Sequence, residues 1–340
     1  MATSLSRART ASSASGSAVA ALVHVGTAGW SYSDWEGVFY PKPHPRGFDA
    51  LEYLSRYVDV VEVNSTFYRP VDANVARRWV DRVADAADFR FTAKLSKRFT
   101  HERDTSFTRA EVAEVRRGFR PIHGAGKLGA VLLQFPWSFR RTDDNRIWLD
   151  DVTRAFAEFP LVVEVRHASW AVPEFYAELV ERGIGFVNID QPLFHNSIKP
   201  SATATAPVGY VRIHGRNYRD WFRKDAGVEA RYDYLYTPAE LTRWAERSVE
   251  VAEAGAEEVY AVANNHYRAK AAVQFSSRAW CATSRCRRLR RCMRRTRTSW
   301  RRGHIRPNGT GDWGLGTRPG GHYGRGRLLA LMAPSRVPSP

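Results

Sequence analysis

The chain is 340 residues long, with 52 Lys and Arg against 35 Asp and Glu and a formal net charge of +17. An excess of that size ordinarily points to nucleic acid, but here it is confined to one end: residues 275–340 hold 16 Arg, no Lys and a single acidic residue, Asp312, leaving 36 basic and 34 acidic residues for the rest. No apolar run approaches the length of a membrane-spanning helix, so no membrane partner is expected.

Residues 1–20, MATSLSRARTASSASGSAVA, are rich in Ser and Ala and lack the long apolar segment of a signal peptide, which predicts a disordered leader. Short runs rich in Val, Ile and Phe then follow at intervals: LVHVG (22–26), VDVVEVN (58–64), FRFTAKL (89–95), GAVLLQF (129–135), LVVEVRH (161–167), GIGFVNID (183–190), GYVRIHG (209–215) and EVYAVANN (258–265). Helix-like stretches separate most of them. Ala73–Ala87 contains NVARRWVDRVADAA, and Thr108–Phe119 places Thr and Glu at the spacing of a capping box. Pro173–Arg182 and Thr237–Ala254 supply two more. Strand alternating with helix predicts parallel strands with crossover helices. Eight such strands over residues 21–274 predict a single-domain α/β fold, a closed (β/α)8 barrel of the TIM type. The open doubly wound alternative lacks a GxGxxG or P-loop after any strand.

Three readings compete for residues 275–340. A phosphate-binding arm would ordinarily mix Lys with Arg. Cys281, Cys286 and Cys292 lack the paired short spacings of a metal module. Out-of-frame translation of GC-rich coding sequence yields Arg, Gly, Pro, Ser, Ala, Cys and Trp with few acids, and this frameshift reading fits best. The last barrel helix is therefore expected to be missing or replaced by the Arg-rich tail. Because all three cysteines lie in that segment, the body is cysteine-free, which suits a reducing, cytoplasmic setting.

Alternation along the strands predicts which side chains enter the barrel. Val61 and Val63 oppose Glu62 and Asn64; Val163 and Val165 oppose Glu164 and Arg166; Val187 and Ile189 oppose Asn188 and Asp190; Val211 and Ile213 oppose Arg212 and His214. The apolar phase is assigned to the helices and the polar phase to the lumen. Lys94, Gln134 and Asn264 join it near the carboxyl ends of their strands, where barrel enzymes place their sites.

The same strand ends carry GTAGWSYSDWEGVFYP (26–41), VEVNSTFYRP (61–70), FRFTAKLSKRFTH (89–101), LGAVLLQFPWSF (128–139), VEVRHASW (163–170), YVRIHGR (210–216) and VYAVANNHYRAKAAV (259–273). Together these strings closely resemble the YecE-like family, also called the domain-of-unknown-function 72 family, over nearly all of Val25–Val273. The resemblance implies a TIM barrel and supplies no reaction. Two departures stand out: Ala263 replaces an aromatic before the Asn pair, and the family's next helix begins at KAAVQ and then gives way to the Arg-rich segment.

For chemistry, Glu62 and Glu164 are the leading acid and base, with Asp190 and His214 beside them as catalytic candidates; two carboxylates in a dry pocket can be driven to different pKa values. The competing reading is an internal ion-pair network, for instance with Arg212. Asn64, Lys94, Arg166, His167, Arg212 and Asn264 are assigned to substrate binding, with Trp30 and Tyr68 from an aromatic rim. No cofactor motif is present. A divalent metal on Glu62, Glu164, Asp190 and His214 is left open, without a ligand-spacing motif to support it. These residues predict an enzyme, a hydrolase or isomerase, acting on a small polar or anionic ligand. The alternatives are nucleic-acid binding through a cationic, aromatic mouth or the Arg-rich tail, which the near-neutral body disfavours, and a family member impaired by a frameshift.

Overall fold

A computed structural model describes residues 22–219, 221, 223 and 233–275, all within the unit Met1–Pro307. The expectations for the leader 1–20 and for residues 276–340 lie outside the described residues.

Eight β-branched-rich runs pair side by side and in parallel: β1 Leu22–Ala28, β2 Val60–Val63, β3 Arg90–Lys94, β4 Leu128–Gln134, β5 Leu161–Glu164, β6 Gly185–Asp190, β7 Val208–Ile213 and β8 Glu258–Ala263. The sheet closes on itself in sequence order, with β8 beside β1 in the register Leu22↔Glu258 to Thr27↔Ala263. This is the (β/α)8 barrel that the strand pattern predicts. Closure pairs every strand on both sides and leaves no sheet edge for another chain to join.

The helices are α1 Ala50–Ser55, α2 Ala73–Arg82, α3 Lys97–Thr100, α4 Arg109–Gly124, α5 Asp143–Ala155, α6 Pro173–Glu181, α7 Pro238–Glu253 and α8 Lys270–Phe275. Side-chain caps start many of them. Thr108 and Glu111 form the anticipated capping box on α4, and Thr237 with Glu240 repeats it on α7, where Pro238 occupies the first turn. Asp49 and Asp72 cap α1 and α2.

Two expectations are corrected. The first concerns the seam between β8 and β1. Val259, Ala261 and Ala263 are fully buried rather than uncovered. They share a core cluster with Val23 and Val25 of β1, Leu241, Trp244 and Val251 of α7, and Ala271 and Phe275 of α8. The outward side chains of β8 are small and pack against both α7 and α8. The alanine at 263, where an aromatic was expected, is itself fully buried.

The second concerns β6. Register pairs Val187 with Tyr210 and Ile189 with Arg212, and pairs Asn188 with Val211 and Asp190 with Ile213. Because register neighbours share a face, Val187 and Ile189 enter the lumen and Asn188 and Asp190 face outward. The cause is the connection that follows. Residues 191–207 carry no helix; they lie against the outer face as irregular chain whose backbone needs polar partners. Asn188 supplies them. Its Nδ2 donates to the carbonyls of Thr203 and Tyr210, and its Oδ1 accepts from Ser201 Oγ and Thr203 N. Thr205 likewise clips Phe186 N and Ile184 O.

The amino-terminal half of the lumen is plugged by aromatic rings. His24 stacks on Tyr260, with ring centroids 5.0 Å apart, and Tyr210 lies 6.3 Å from Tyr260. Gly129 of β4 makes room for this plug, since a Cβ there would stand 2.3 Å from the Tyr260 ring. The opposite, carboxyl-terminal end keeps an open cavity.

Candidate active site at the barrel mouth

Strand alternation delivers Glu62, Thr92, Lys94, Gln134, Glu164, Tyr210 and Arg212 into one lumen. Arg212, just 1% exposed, sits at the centre. Its Nε and Nη2 donate to Glu62 Oε2 and Oε1 at 2.9 and 2.6 Å, and its Nη1 donates to Glu164 Oε2 at 2.8 Å. The Tyr210 hydroxyl donates to Glu62 Oε2 at 2.9 Å and lies 2.8 Å from Thr92 Oγ1. Arg166 Nε and Nη2 reach Glu164 Oε1 at 3.0 and 2.9 Å. His214 Nε2 stands 3.3 Å from the same oxygen, a contact rather than a well-directed hydrogen bond, while Asn264 Nδ2 lies 3.2 Å from His214 Nδ1.

Electrostatics follow from this wiring. Burial alone would raise the Glu164 pKa, but Arg212, His214 and Arg166 outweigh it and hold the carboxyl well below its ordinary value. Burial depresses His214 to about 3 despite Glu164, so its imidazole is neutral near pH 7. Two carboxylates spanned by one guanidinium form a neutralised network rather than a free acid and base.

Lys94 differs from its neighbours. At the carboxyl end of β3, its Nζ lies 3.9 Å from the Phe67 ring centroid and makes no hydrogen bond or ion pair among the described residues. Burial and Arg212 lower it to about 7, against the opposing pull of Glu62 and Glu164. His101, edge-on to Phe67 at 4.9 Å, is lowered to about 4 by burial and by Lys94. The β3 end is fixed by Thr66, whose Oγ1 donates to the carbonyls of Lys94 and Val63.

Beside Lys94 opens a cavity of about 420 Å³. Its polar lining is Asn64, Lys94, Arg212, Asn264 and His266 with the serines Ser31 and Ser65; its apolar walls are Trp30, Tyr32, Phe67 and Tyr68. Among the described residues no Asp or Glu lines it. Gly29, also in the lining, has φ of +84° and donates its N–H to the carbonyl of Glu62 at 2.8 Å. A Cβ there would meet the Tyr32 hydroxyl at 2.5 Å.

Of the residues singled out from the sequence, Glu62, Glu164, Arg166, Arg212 and His214 meet in one network, and Asn64, Lys94, Asn264, Trp30 and Tyr68 line the adjoining cavity. Two are placed elsewhere. Asp190, on the outer face of β6, accepts from Arg216 Nε at 3.0 Å, and Arg216 continues to Glu240 of α7 at 3.0 Å. Burial raises the Asp190 pKa, with Tyr236 and Arg216 opposing. His167 is a local cap: its Nδ1 accepts from Ser169 N at 3.1 Å at the head of the 3-10 turn Ala168–Trp170. Tyr210 was passed over as a network member, although it stands two residues before Arg212 and therefore on the same face. His266, also passed over, stacks on Tyr32 with ring centroids 4.4 Å apart.

The aromatic rim is largely self-packed. Trp30 meets Trp79 edge-on, Trp35 and Trp170 are fully buried, and Tyr68 alone of the cavity aromatics is widely exposed, at 72%. Among the described residues no group of three or more His, Cys, Asp or Glu could hold a metal ion, and no helix is long and apolar enough to cross a membrane.

The architecture and the polar mouth define a (β/α)8-barrel protein with a ligand-sized site at the carboxyl ends of its strands. The family described as "Protein of unknown function DUF72" matches residues 24–296, and the chain belongs to that family. It is 27% identical over 260 residues to the UPF0759 protein YunF of Bacillus subtilis (strain 168), covering 72% of this chain and 89% of that one. A crystal structure of a DUF72 family protein from Thermotoga maritima superposes with a TM-score of 0.65 at 30% identity, covering 80% of this chain and 99% of that one. A DUF72 family protein from Enterococcus faecalis shares the fold at 22% identity and a TM-score of 0.64, covering 76% of this chain and 96% of that one.

Proposed function

We propose that the protein is an enzyme that binds a small anionic substrate in the mouth cavity and moves a proton with Lys94. The observation that carries this reading is the lining itself: Lys94 contributes a positive charge that no hydrogen bond or ion pair takes up, and among the described residues no Asp or Glu lines the cavity. An anion entering there meets the Lys94 ammonium and the amides of Asn64 and Asn264, a donor set that suits a carboxylate or phosphate. The volume suits a small molecule.

Lys94 is the group best poised for proton transfer. With a pKa near 7, both its charged and neutral forms are populated at neutral pH, the condition under which general acid–base catalysis is most effective. Glu62 and Glu164 take a supporting role. They hold Arg212 in place and fix where its charge points, and their own lone pairs are occupied. Hydrolysis or isomerisation fits a site of this kind, since each needs a proton moved at a polar centre.

Nucleic-acid binding by the barrel mouth has less support, because most rim aromatics pack on one another and leave few faces for bases. The test is a thermal-shift and calorimetric screen of small carboxylates, phosphates and sulfates against neutral and cationic analogues. Anions should raise the melting temperature by mass action, and Lys94→Met should remove most of that gain. Equal responses to neutral and anionic compounds would overturn the reading.

A further inference from the structure

We propose that Lys94 is a nucleophilic amine that forms a Schiff base, and that the mouth cavity takes a small aldehyde or ketone bearing a carboxylate or phosphate. This inference rests on the anion-binding reading of the cavity and adds the reacting group.

Lys94 lacks the partners that a buried lysine ordinarily has. A buried lysine is normally held by a carboxylate or by carbonyl oxygens, as Lys127 is by the carbonyl of Ala86 at 2.9 Å. Lys94 has two carboxylates in its surroundings, Glu62 of β2 and Glu164 of β5, and both are committed to Arg212 of β7. Arg166, following β5, takes the remaining oxygen of Glu164. Arg212 and Arg166 lower Lys94 while Glu62 and Glu164 pull the other way without bonding to it, and His101, following α3, is neutral near pH 7. What remains for Nζ is the face of Phe67 and the open cavity. An ammonium so placed gives up its proton readily, and the lone pair of the neutral amine is taken up by no donor among the described residues. Desolvation next to other cations is the standard way a lysine is made nucleophilic.

The cavity matches the electrophile. The amides of Asn64 and Asn264 and the hydroxyls of Ser31 and Ser65 would hold the anionic end of a substrate, leaving a carbonyl carbon beside Nζ. The reaction balances without a redox partner. The nitrogen lone pair attacks the carbonyl carbon, the π pair moves to oxygen, and a proton passes from nitrogen to that oxygen to give the carbinolamine. Protonation of its hydroxyl breaks the C–O bond and expels water, and the nitrogen lone pair completes the C=N bond. Carbonyl compound, amine and one proton become a protonated imine and water, and loss of the N–H proton gives the neutral imine. The imine can then accept electrons from a neighbouring C–H or C–C bond, which places the reaction among isomerisations, aldol cleavages and decarboxylations rather than oxidations.

The test traps the imine on the intact chain. The protein is incubated with glyoxylate, pyruvate or glycolaldehyde phosphate and reduced with borohydride, and the adduct is located by peptide mass spectrometry. Lys97, three residues away and partly exposed, serves as the internal control. At pH 7 the adduct should form on Lys94 at least about tenfold faster than on Lys97, whose ammonium is held in an ion pair with Glu102. The rate at Lys94 should fall as pH drops below about 7, and inorganic phosphate should protect it. Labelling at Lys94 no faster than at Lys97 overturns the Schiff-base inference. If phosphate and small carboxylates still stabilise that same protein, the anion-binding reading stands alone; if they do not, both fall. Acetaldehyde as a control separates the two parts again: labelling as fast as with glyoxylate shows a reactive amine without an anion pocket, which overturns the substrate class.

Discussion

Arg212 shows why burying two glutamates in a barrel is tolerable and why removing one is not. Each carboxylate is desolvated, and the guanidinium compensates both through three nitrogens. Glu62→Gln or Glu164→Gln leaves part of that charge unpaired, and the cost is expected to be about 3–5 kcal/mol in denaturant unfolding. A catalytic carboxylate would instead lose activity with little loss of stability, so unfolding curves on both variants decide between the roles. The pH dependence has a defined direction. His214 is neutral in the fold, at about 3, against an ordinary 6.5, so the unfolded chain takes up its proton first and stability is lost as pH falls below 6.5. Glu164 adds to the loss below its ordinary 4.5, where the unfolded carboxyl protonates while the native one stays charged. Stability should therefore decline from pH 6.5 to 4, and His214→Gln should flatten that slope by up to about 1.4 kcal/mol per pH unit. Lys94 acts in the opposite window. Between 7 and 10.5 the unfolded chain keeps a proton that the native lysine has released, so stability rises with pH there, and Lys94→Met should abolish that rise.

Among the secondary-structure elements, legibility depended on what each strand packs against. In β2, β5 and β7 the outward neighbours are apolar, so valines mark the outer face and the charged residues mark the lumen. That rule placed Glu62, Glu164, Arg212 and His214 together from the sequence alone. It failed on β6 because the chain that leaves that strand forms no helix before β7. The irregular chain of residues 191–207 needs hydrogen bonds, so the polar residues point outward and valine and isoleucine turn in. Asp190 was lost to the site for that reason. Its run GIGFVNID reads like the others, and nothing within it reports what will lie on top. The Lys94 site was half legible: the position of the lysine followed from strand phase, whereas its lack of a partner depends on how Arg212 distributes its bonds in three dimensions. The capping boxes were local patterns and could be read directly. Thr108→Ala and Thr237→Ala should each cost about 1 kcal/mol in thermal or chemical unfolding. Gly129→Ala tests the aromatic plug at the closed end; the added methyl meets the Tyr260 ring, and a loss of about 1–3 kcal/mol is expected from overpacking.

For the whole molecule, charge and fold are separable. The barrel region is close to neutral, and the +17 arises almost entirely after Phe275. Binding of the full chain to heparin or duplex DNA should be strongly salt-dependent, and a chain ending at Phe275 should lose it while retaining anion binding at the mouth. A frameshift origin for the Arg-rich segment makes its own prediction. Another frame of the coding DNA after about Gln274 should encode an amphipathic helix with acids and lysines, and restoring it should raise the melting temperature. The family match continues to residue 296, so a DNA sequence with no such frame would leave the Arg run as a genuine basic arm.

The Arg212 fork also bears on how such a barrel assembles. Its bonds join β7 to β2, 150 residues away, and to β5, 48 residues away. A chain that has laid down only β1 to β4 holds Glu62 without its cation, and β5 to β8 alone hold Arg212 with Glu164 but without Glu62, in surroundings that admit little water. Incomplete sheets are therefore penalised until the ring is nearly whole, and that penalty disappears in the same event that joins β8 to β1. Half-barrels expressed as separate pieces should accordingly be poor monomers that recover order only on meeting each other, when Glu62 of one half reaches Arg212 of the other. A barrel wired through its centre in this way resists partial opening, so the amides of β7 should exchange with solvent through global unfolding alone.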